Sequence, residues 1–305
     1  MAFGVDGTFS FFNDLTTSGY YAQSNTEGRT TDNRSYTGRF DYAPDRYGVR
    51  LDYLKVGANY SPEVGFANRT NFSRSYASAR FSPRPARSRR VRKYTWEGTF
   101  EYVKNGAGFL ETRNVAGRFL TELQTSDLVS VVATDRYEFL SRPFTPSPGR
   151  TIARGGYGFT DLVGTYGFGQ QRRISGSLSV QVGEFYDGHI TALTYSSGRL
   201  AILKQWSLEP SFTINHVTLP TGGFDSQVYR ARTDYGFSPR RFISALVQYS
   251  SADHVFSSNL RYRWEYRPGS ELFVVYTDER DTTANGYPGL RNRAFVVKAT
   301  RLFQF

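Results

Sequence analysis

Apolar and polar residues alternate with a period of two along most of the chain. The clearest segment is 93–102, where one phase holds Tyr94, Trp96, Gly98, Phe100 and Tyr102, and the other holds Lys93, Thr95, Glu97, Thr99 and Glu101. Successive side chains of a strand point to opposite faces, so this pattern predicts a strand with one apolar and one polar face. Similar segments lie near 36–42, 115–123, 174–182, 229–237 and 259–266.

Turn-forming pairs separate these segments, among them Asn105-Gly106, Asp187-Gly188 and Pro268-Gly269. The alternation predicts about 16–18 antiparallel strands, with seventeen as the central value, and no helix. Many short strands joined by regular turns indicate either a sandwich or a barrel.

The residue types on the two phases favour a barrel in a membrane over a soluble sandwich or barrel. A sandwich core prefers Val, Ile and Leu, whereas here the apolar phases are rich in Tyr, Trp and Phe, and aromatic residues make up 16% of the chain. Aromatic side chains near strand ends are typical of a membrane interface. The sequence therefore predicts one domain over 1–305, a transmembrane up-and-down β-barrel whose interface aromatics include Tyr94, Trp96, Tyr102, Trp206, Tyr262 and Trp264.

The polar phases carry charges of both signs, as the wall of a water-filled lumen can. If the lumen is open, these residues set solute selectivity, and if it is closed, they neutralise one another and stiffen the wall. The predicted lumen-lining set is Arg39, Asp41, Arg50, Asp52, Glu97, Glu101, Arg118, Glu122, Arg230, Arg232, Asp234, Arg261, Arg263 and Glu265.

Composition narrows the possible chemistry. The chain has no cysteine, which excludes disulfides and thiolate metal sites. Its net charge of +11 allows several anionic partners, but basic residues spread along alternating strands do not favour nucleic acid. The three histidines, His189, His216 and His254, have no second ligand at metal spacing, so we expect no metal, no cofactor and no catalytic residues.

One run of positive charge, 83–93, interrupts the alternating pattern. It contains Arg84, Arg87, Arg89, Arg90, Arg92 and Lys93. A solvated turn accounts for this run, and so does contact with anionic lipid headgroups.

The C-terminal segment RAFVVKATRLFQF places Phe295, Val297, Ala299, Phe303 and Phe305 in one phase. A final strand that ends in Phe resembles the insertion signal of bacterial outer-membrane barrels, which the assembly machinery reads. We therefore expect Phe303 and Phe305 to form such a signal in a chain whose partners are the outer-membrane bilayer and that machinery.

Several further stretches resemble one bacterial family of unknown function. They are GVDGTFSFFND, YSPEVGF, GEFYDG, VTLPTGGF, ALVQYSS and SSNLRYRWEYRPGSELFVVYTDERD, and the most specific similarity covers 245–305. The resemblance implies a C-terminal outer-membrane barrel domain behind a module similar to family-9 carbohydrate-binding domains, and it transfers no catalytic residue. It also implies that strands precede Gly4, so we expect an N-terminally truncated barrel, in keeping with an odd strand count and no visible secretory signal.

Three functions follow as hypotheses. The first is an outer-membrane channel, or a component for export or uptake, that serves a polar solute; the family's carbohydrate-binding module suggests a glycan. The second is a non-conducting anchor for the upstream module. The third is an outer-membrane hydrolase, which would need a nucleophile and a base that no short motif indicates.

Overall fold

Nineteen β-strands form the regular structure of the described residues. The computed structural model describes residues 1–28, 30–62, 65, 67–283 and 286–303. No helix occurs among these residues, so they include no helix that could cross a membrane. The strands are β1 (Ala2–Phe11), β2 (Leu15–Ser24), β3 (Arg34–Tyr42), β4 (Tyr47–Val56), β5 (Phe72–Phe81), β6 (Val91–Asn105), β7 (Leu110–Leu123), β8 (Leu128–Leu140), β9 (Phe144–Ser147), β10 (Arg150–Ile152), β11 (Gly155–Phe168), β12 (Ile174–Phe185), β13 (Gly188–Leu203), β14 (Trp206–Leu219), β15 (Gly222–Ser238), β16 (Arg241–Ser250), β17 (Val255–Arg267), β18 (Ser270–Asp281) and β19 (Gly289–Thr300).

Seventeen of these strands belong to one sheet, while β9 and β10 form a separate antiparallel hairpin. From β1 to β7 and from β14 to β19, each strand pairs antiparallel with the next one in the chain. The prediction of an all-β chain with about seventeen antiparallel strands is therefore confirmed. The sheet is not closed among the described residues, so closure into a barrel stays a prediction.

The chain divides into two compact units. The first contains Met1–Gln124, Val129–Gly164 and Gly183–His189, and the second contains Thr125–Leu128, Thr165–Val182 and the residues from Ile190 onwards. One domain over 1–305 was expected from the sequence, and this expectation stays a prediction.

In the first unit, antiparallel pairing places successive connections at alternating ends of the strands. Connections 12–14, 43–46 and 82–90 lie at one end, which we name the short-turn end. Connections 25–33, 57–71, 106–109 and 141–154 lie at the other end. The longer connections thus gather mostly at one side of this unit.

In the second unit, β14 to β19 form a meander with tight turns. The connection between β17 and β18 is the pair Pro268-Gly269 that the sequence predicts as a turn. Gly269 has φ +75°, a left-handed conformation that a residue without Cβ adopts at low cost. The opposite connection 251–254 and the connection 282–288 join strands at the other end.

Burial is inverted relative to a water-soluble sheet. In the first unit Thr95 is 4% exposed, while its neighbour Trp96 is 44% exposed. In the second unit Ser175 is 2% exposed, and the adjacent Ile174 is 55% exposed. At these positions the polar residue is buried and its apolar neighbour is exposed, whereas several arginines of the polar phase, such as Arg230, Arg232 and Arg261, are exposed as well.

The edge strand of each unit differs from the others, because it is exposed on both faces. Nearly every residue of β1 and of β19 is exposed, whichever way its side chain points. β1 has β2 as its antiparallel neighbour, and β19 has β18.

The hairpin β9–β10 packs against the rest of the first unit through apolar contacts. Ile152 is 1% exposed, and the Phe144 ring lies 5.9 Å from the ring of Tyr186. The Tyr186 ring is 5.0 Å from that of Phe159, and its hydroxyl donates to the Glu138 carboxylate at 2.8 Å.

Candidate functional site: the charged face

In the first unit, cross-strand register assembles one charged face. Arg39 lies opposite Asp52, Asp52 lies opposite Tyr76, and Tyr76 lies opposite Glu101. These residues form a row across four neighbouring strands although they are far apart in sequence. The same face holds every charged residue predicted for this part of the chain: Arg39, Asp41, Arg50, Asp52, Glu97, Glu101, Arg118 and Glu122.

Asp52 lies at the centre of the row. Its side chain is 4% exposed, and its carboxylate is 3.0 Å from Nε of Arg39 and 3.5 Å from Nη1 of Arg74. Nη2 of Arg50 lies 3.9 Å away. Three guanidinium groups therefore surround one carboxylate, and the arginines themselves are partly exposed to solvent.

An aromatic ring and a second carboxylate continue the row. The guanidinium carbons of Arg50 and Arg74 lie 5.5 Å and 5.4 Å from the centroid of Tyr76, within the range of a cation–π contact. Nε of Arg74 is 2.5 Å from the Glu101 carboxylate, which also accepts a hydrogen bond from Asn114 at 3.1 Å. Each charge in the row thus has an ordered partner.

The other predicted charges of this unit behave in two ways. Glu97 and Arg118 lie opposite each other and form an ion pair at 2.7 Å. Asp41 and Glu122 make no ion pair with any residue that the structure describes. The charged face therefore contains both neutralised pairs and single carboxylates.

The second unit has a charged face of the same kind. Arg261 lies opposite Ser244, which in turn lies opposite Asp234. This register places the predicted residues of β15 and β17 on one side: Arg230, Arg232, Asp234, Arg261, Arg263 and Glu265.

Ion pairs in the second unit involve only some of these residues. Arg232 binds Asp234 at 2.9 Å, and Arg263 binds Glu271 of the adjacent strand β18. Glu265 accepts a hydrogen bond from the backbone nitrogen of Gly269 at 3.2 Å. Within the described ranges, Arg230 and Arg261 have no acidic side chain within ion-pair distance.

Sequence analysis missed several members of the two faces. Arg74 lies on β5, whose other phase consists mostly of Ser and Ala, so the contrast between the phases is weak there. Arg136 and Asp161 pair at 2.8 Å across β8 and β11, and the Asp161 side chain is 2% exposed. The spacing of Arg74, Tyr76 and Arg80 in one phase is the signal that could have found the first of them.

Histidine and acidic side chains are the residues that could bind a metal ion in this chain. No group of three His, Cys, Asp or Glu side chains in the described residues could hold a metal ion. His216 does have a carboxylate partner that its sequence spacing hid, because Nδ1 lies 2.7 Å from Asp225 across the β14–β15 pair. Both side chains are largely exposed, and the pair resembles a solvated strand end.

The predicted interface aromatics all lie on the apolar phase of their strands. The Trp96 ring packs 5.7 Å from Tyr94 and 5.2 Å from Phe119. Trp206 is 39% exposed, and its indole nitrogen donates to Thr233 Oγ at 2.8 Å. The six residues placed in this way are Tyr94, Trp96, Tyr102, Trp206, Tyr262 and Trp264.

The C-terminal prediction needs a correction. The last strand was expected to continue through Phe303, but β19 ends at Thr300 and Phe303 lies beyond it with 63% of its surface exposed. The ring of Phe303 lies 4.9 Å from the guanidinium carbon of Arg301, a contact outside the sheet. Phe305 falls outside the described residues, so its part in an insertion signal stays a prediction.

Comparison with models of known protein families gives no match for this chain. Curated proteins and solved structures give no match either.

Proposed function

We propose that the chain is a transmembrane β-barrel of a bacterial outer membrane whose charged face lines a lumen for a polar solute. The inverted burial carries this proposal: Trp96 and Ile174 are exposed, whereas Thr95 and Ser175 beside them are buried. In water, exposed apolar surface over so many strands would drive association. In a bilayer the same surface faces hydrocarbon, and the polar phase faces the lumen.

Strand length supports the same proposal. A transmembrane β-strand needs about 9–11 residues when it tilts by roughly 45°. β1, β2, β3 and β4 have 10, 10, 9 and 10 residues, and the strands β11 to β15 are longer. Each of them is therefore long enough to cross the hydrocarbon core.

The charges on the two faces suggest what the lumen does. Carboxylates and guanidinium groups alternate there, and many of the arginine side chains are partly exposed. Such a wall favours polar solutes over apolar ones, and its balance of charge sets ion selectivity. A glycan is the solute class that the family resemblance adds to this proposal.

Purified protein in planar bilayers or liposomes tests the proposal. We expect single-channel current and swelling in polar solutes. We also expect Asp52→Asn to lower the ratio of cation to anion permeability by about twofold. A screened charge near the ion path changes the free energy of a passing ion by only a fraction of a kcal/mol. The matched control is Asp14→Asn. It removes the same charge from an exposed residue of the connection 12–14, outside the strands.

Two results would contradict the channel. A protein that inserts but gives neither current nor swelling would fit a non-conducting anchor instead. A shift in selectivity that is equal for Asp52→Asn and Asp14→Asn would reject the assignment of the charged face to the lumen.

A further inference from the structure

At the short-turn end of the first unit, a turn rich in arginine carries an excess of positive charge. It comprises Arg84, Arg87, Arg89, Arg90 and Arg92, all of them exposed, and we name it the arginine turn. Asp45 accepts hydrogen bonds from Arg84 at 2.8 Å and 2.9 Å and from Lys93 at 3.1 Å. The hydrogen bonds from Arg84, and after them the one from Lys93, hold the pKa of the Asp45 carboxyl well below its usual value.

The rest of the arginine turn has no counter-charge within ion-pair distance in the described part of the chain. Arg87, Arg89, Arg90 and Arg92 make no ion pair with any residue described by the structure. Their guanidinium groups are free to bind an anion from outside the chain. Arginine forms paired hydrogen bonds with phosphate oxygens, and this makes phosphate a suitable anion for such a cluster.

A row of aromatic rings lies at the same end on the apolar phase. Ring centroids are 5.4 Å apart between Tyr47 and Phe81, 5.9 Å between Phe81 and Trp96, and 5.2 Å between Trp96 and Phe119. The guanidinium of Arg46 lies 5.6 Å from the Phe81 centroid, so positive charge reaches the edge of the row. Amphipathic rings of this kind are at home at the level of lipid headgroups.

Beside the aromatic row, towards the middle of the strands, is a shallow groove of about 740 Å³. Its floor consists of Ala79, Gly98 and Gly117, which lie opposite one another on β5, β6 and β7. A Cβ placed on Gly98 or Gly117 would meet nothing within 4 Å, so the groove is open space beside Trp96 and Phe119. Most of its exposed lining is apolar and can accept a hydrocarbon chain, while Arg80, Glu97 and Arg118 line it as well.

We propose that the arginine turn, the aromatic row and the groove form a binding site for an anionic phospholipid. The phosphate binds Arg87, Arg89 and Arg90, the glycerol region lies against the rings, and an acyl chain occupies the groove. Charge complementarity selects this occupant, because four arginines without an ion pair among the described residues lie at the same end of the unit as the aromatic row that borders the groove. The inference rests on the proposed function, since it requires this apolar surface to face a bilayer.

The position of the site decides between the two leaflets. Outer-membrane barrels have short turns on the periplasmic side and longer loops outside. The connections 12–14 and 43–46 share the end of the arginine turn, whereas 25–33, 57–71 and 141–154 lie at the opposite end. The ligand is therefore a phospholipid of the periplasmic leaflet.

Quenching of Trp96 by brominated lipids tests the proposal directly. Trp96 lies within the site, and the other two tryptophans are removed by Trp206→Phe and Trp264→Phe. The protein is reconstituted in phosphatidylcholine vesicles that contain either brominated phosphatidylglycerol or brominated phosphatidylcholine at equal mole fraction. We expect stronger quenching by the anionic lipid, and we expect 0.5 M NaCl to reduce the difference.

Charge variants identify the residues responsible. Arg87→Gln, Arg89→Gln and Arg90→Gln together should remove the preference, with a loss of about fivefold in relative affinity for each arginine. Arg34→Gln, Arg142→Gln and Arg154→Gln form the matched control, because they remove the same charge from exposed positions at the opposite end of the unit. Far-ultraviolet circular dichroism verifies that each variant keeps its strand content.

The possible failures are distinguishable. Equal quenching by both lipids, or a preference that survives the triple substitution, would overturn the lipid site and leave the membrane assignment intact. A preference lost equally in the control would show attraction by net charge alone and would also overturn the site. No quenching by either lipid would reject the proposed function, and the lipid site with it.

Discussion

A buried carboxylate in the turn between β7 and β8, Asp127, binds four neighbours. It accepts hydrogen bonds from Gly169 N at 2.8 Å, Thr125 Oγ at 2.9 Å, Tyr166 Oη at 3.0 Å and Arg172 Nε at 2.9 Å. The segments 125–127 and 169–173 of the second unit are thereby held together. The hydrogen bonds from Arg172, and then that from Gly169, lower the pKa of Asp127.

This lowered pKa predicts a pH dependence of stability. A carboxyl with a depressed pKa in the folded state contributes stability above its unfolded pKa, 3.8 here, and loses that contribution as the pH falls towards the folded value. The wild type should therefore lose resistance to urea below about pH 4. Asp127→Asn should be less stable at pH 7 and show a smaller change between pH 7 and pH 3, measured by urea titration in detergent.

The control for this prediction is Asp14→Asn. Asp14 is an exposed turn residue whose side chain makes no hydrogen bond to the described part of the chain. Its substitution should leave the urea midpoint unchanged at both pH values. An equal effect of the two substitutions would indicate a general response to charge.

At the scale of an element, β14 shows how a strand accommodates proline. Proline is unfavourable inside a paired strand, but β14 runs through Pro210, which lies opposite Ala231 on β15. On the other side, β13 has an irregularity, since Ser197 has φ +52°. Proline has no backbone N–H to donate. Because the neighbouring strand β13 is irregular beside Pro210, the sheet does not lose a regular hydrogen bond there.

The close approach at this irregularity predicts a sensitive position. A Cβ added to Gly198 would lie 2.2 Å from the carbonyl oxygen of Pro210, and backbone cannot move aside cheaply. We expect Gly198→Ala to lower the free energy of unfolding by about 3 kcal/mol, the upper range for overpacking. Gly38→Ala should be nearly neutral, because a Cβ at Gly38 would meet nothing within 4 Å. Similar urea midpoints for the two variants would refute this account.

At the scale of the whole molecule, the two edge strands decide whether the barrel exists. β1 and β19 are exposed on both faces, and the sheet is not closed among the described residues. In hydrocarbon an unpaired backbone group costs several kcal/mol, so an inserted chain should pair these edges. β1 and β19 could pair with each other or each with a further strand. In either case, their amide hydrogens must be hydrogen-bonded.

Hydrogen exchange measures this pairing. In liposomes, amides of β1 and β19 should exchange about a thousandfold more slowly than those of an unpaired strand, which corresponds to about 4 kcal/mol. The internal standards are β17, which pairs on both sides, and the connection 251–254. Fast exchange at β1 and β19 while β17 remains slow would contradict closure in the bilayer.

The sequence by itself determined which face each side chain occupies. Period-two alternation fixes the phase of a residue such as Thr95 or Trp96, because consecutive strand side chains must point in opposite directions. It also determined the turns, since pairs such as Pro268-Gly269 suit the backbone that a tight turn requires. The all-β fold and most members of the charged faces follow from these local rules, whereas Arg74, Arg136 and Asp161 were not predicted.

Only the tertiary structure decided which charges meet. Closeness in sequence favours ion pairs between Arg39 and Asp41 and between Arg263 and Glu265. The two members of each of these pairs lie two residues apart on one strand. The register instead places Arg39 beside Asp52 and Arg263 beside Glu271. Likewise, no local pattern foretold that β9 and β10 would form a hairpin. Register and loop packing depend on strands distant in the chain, so no short stretch of sequence contains them.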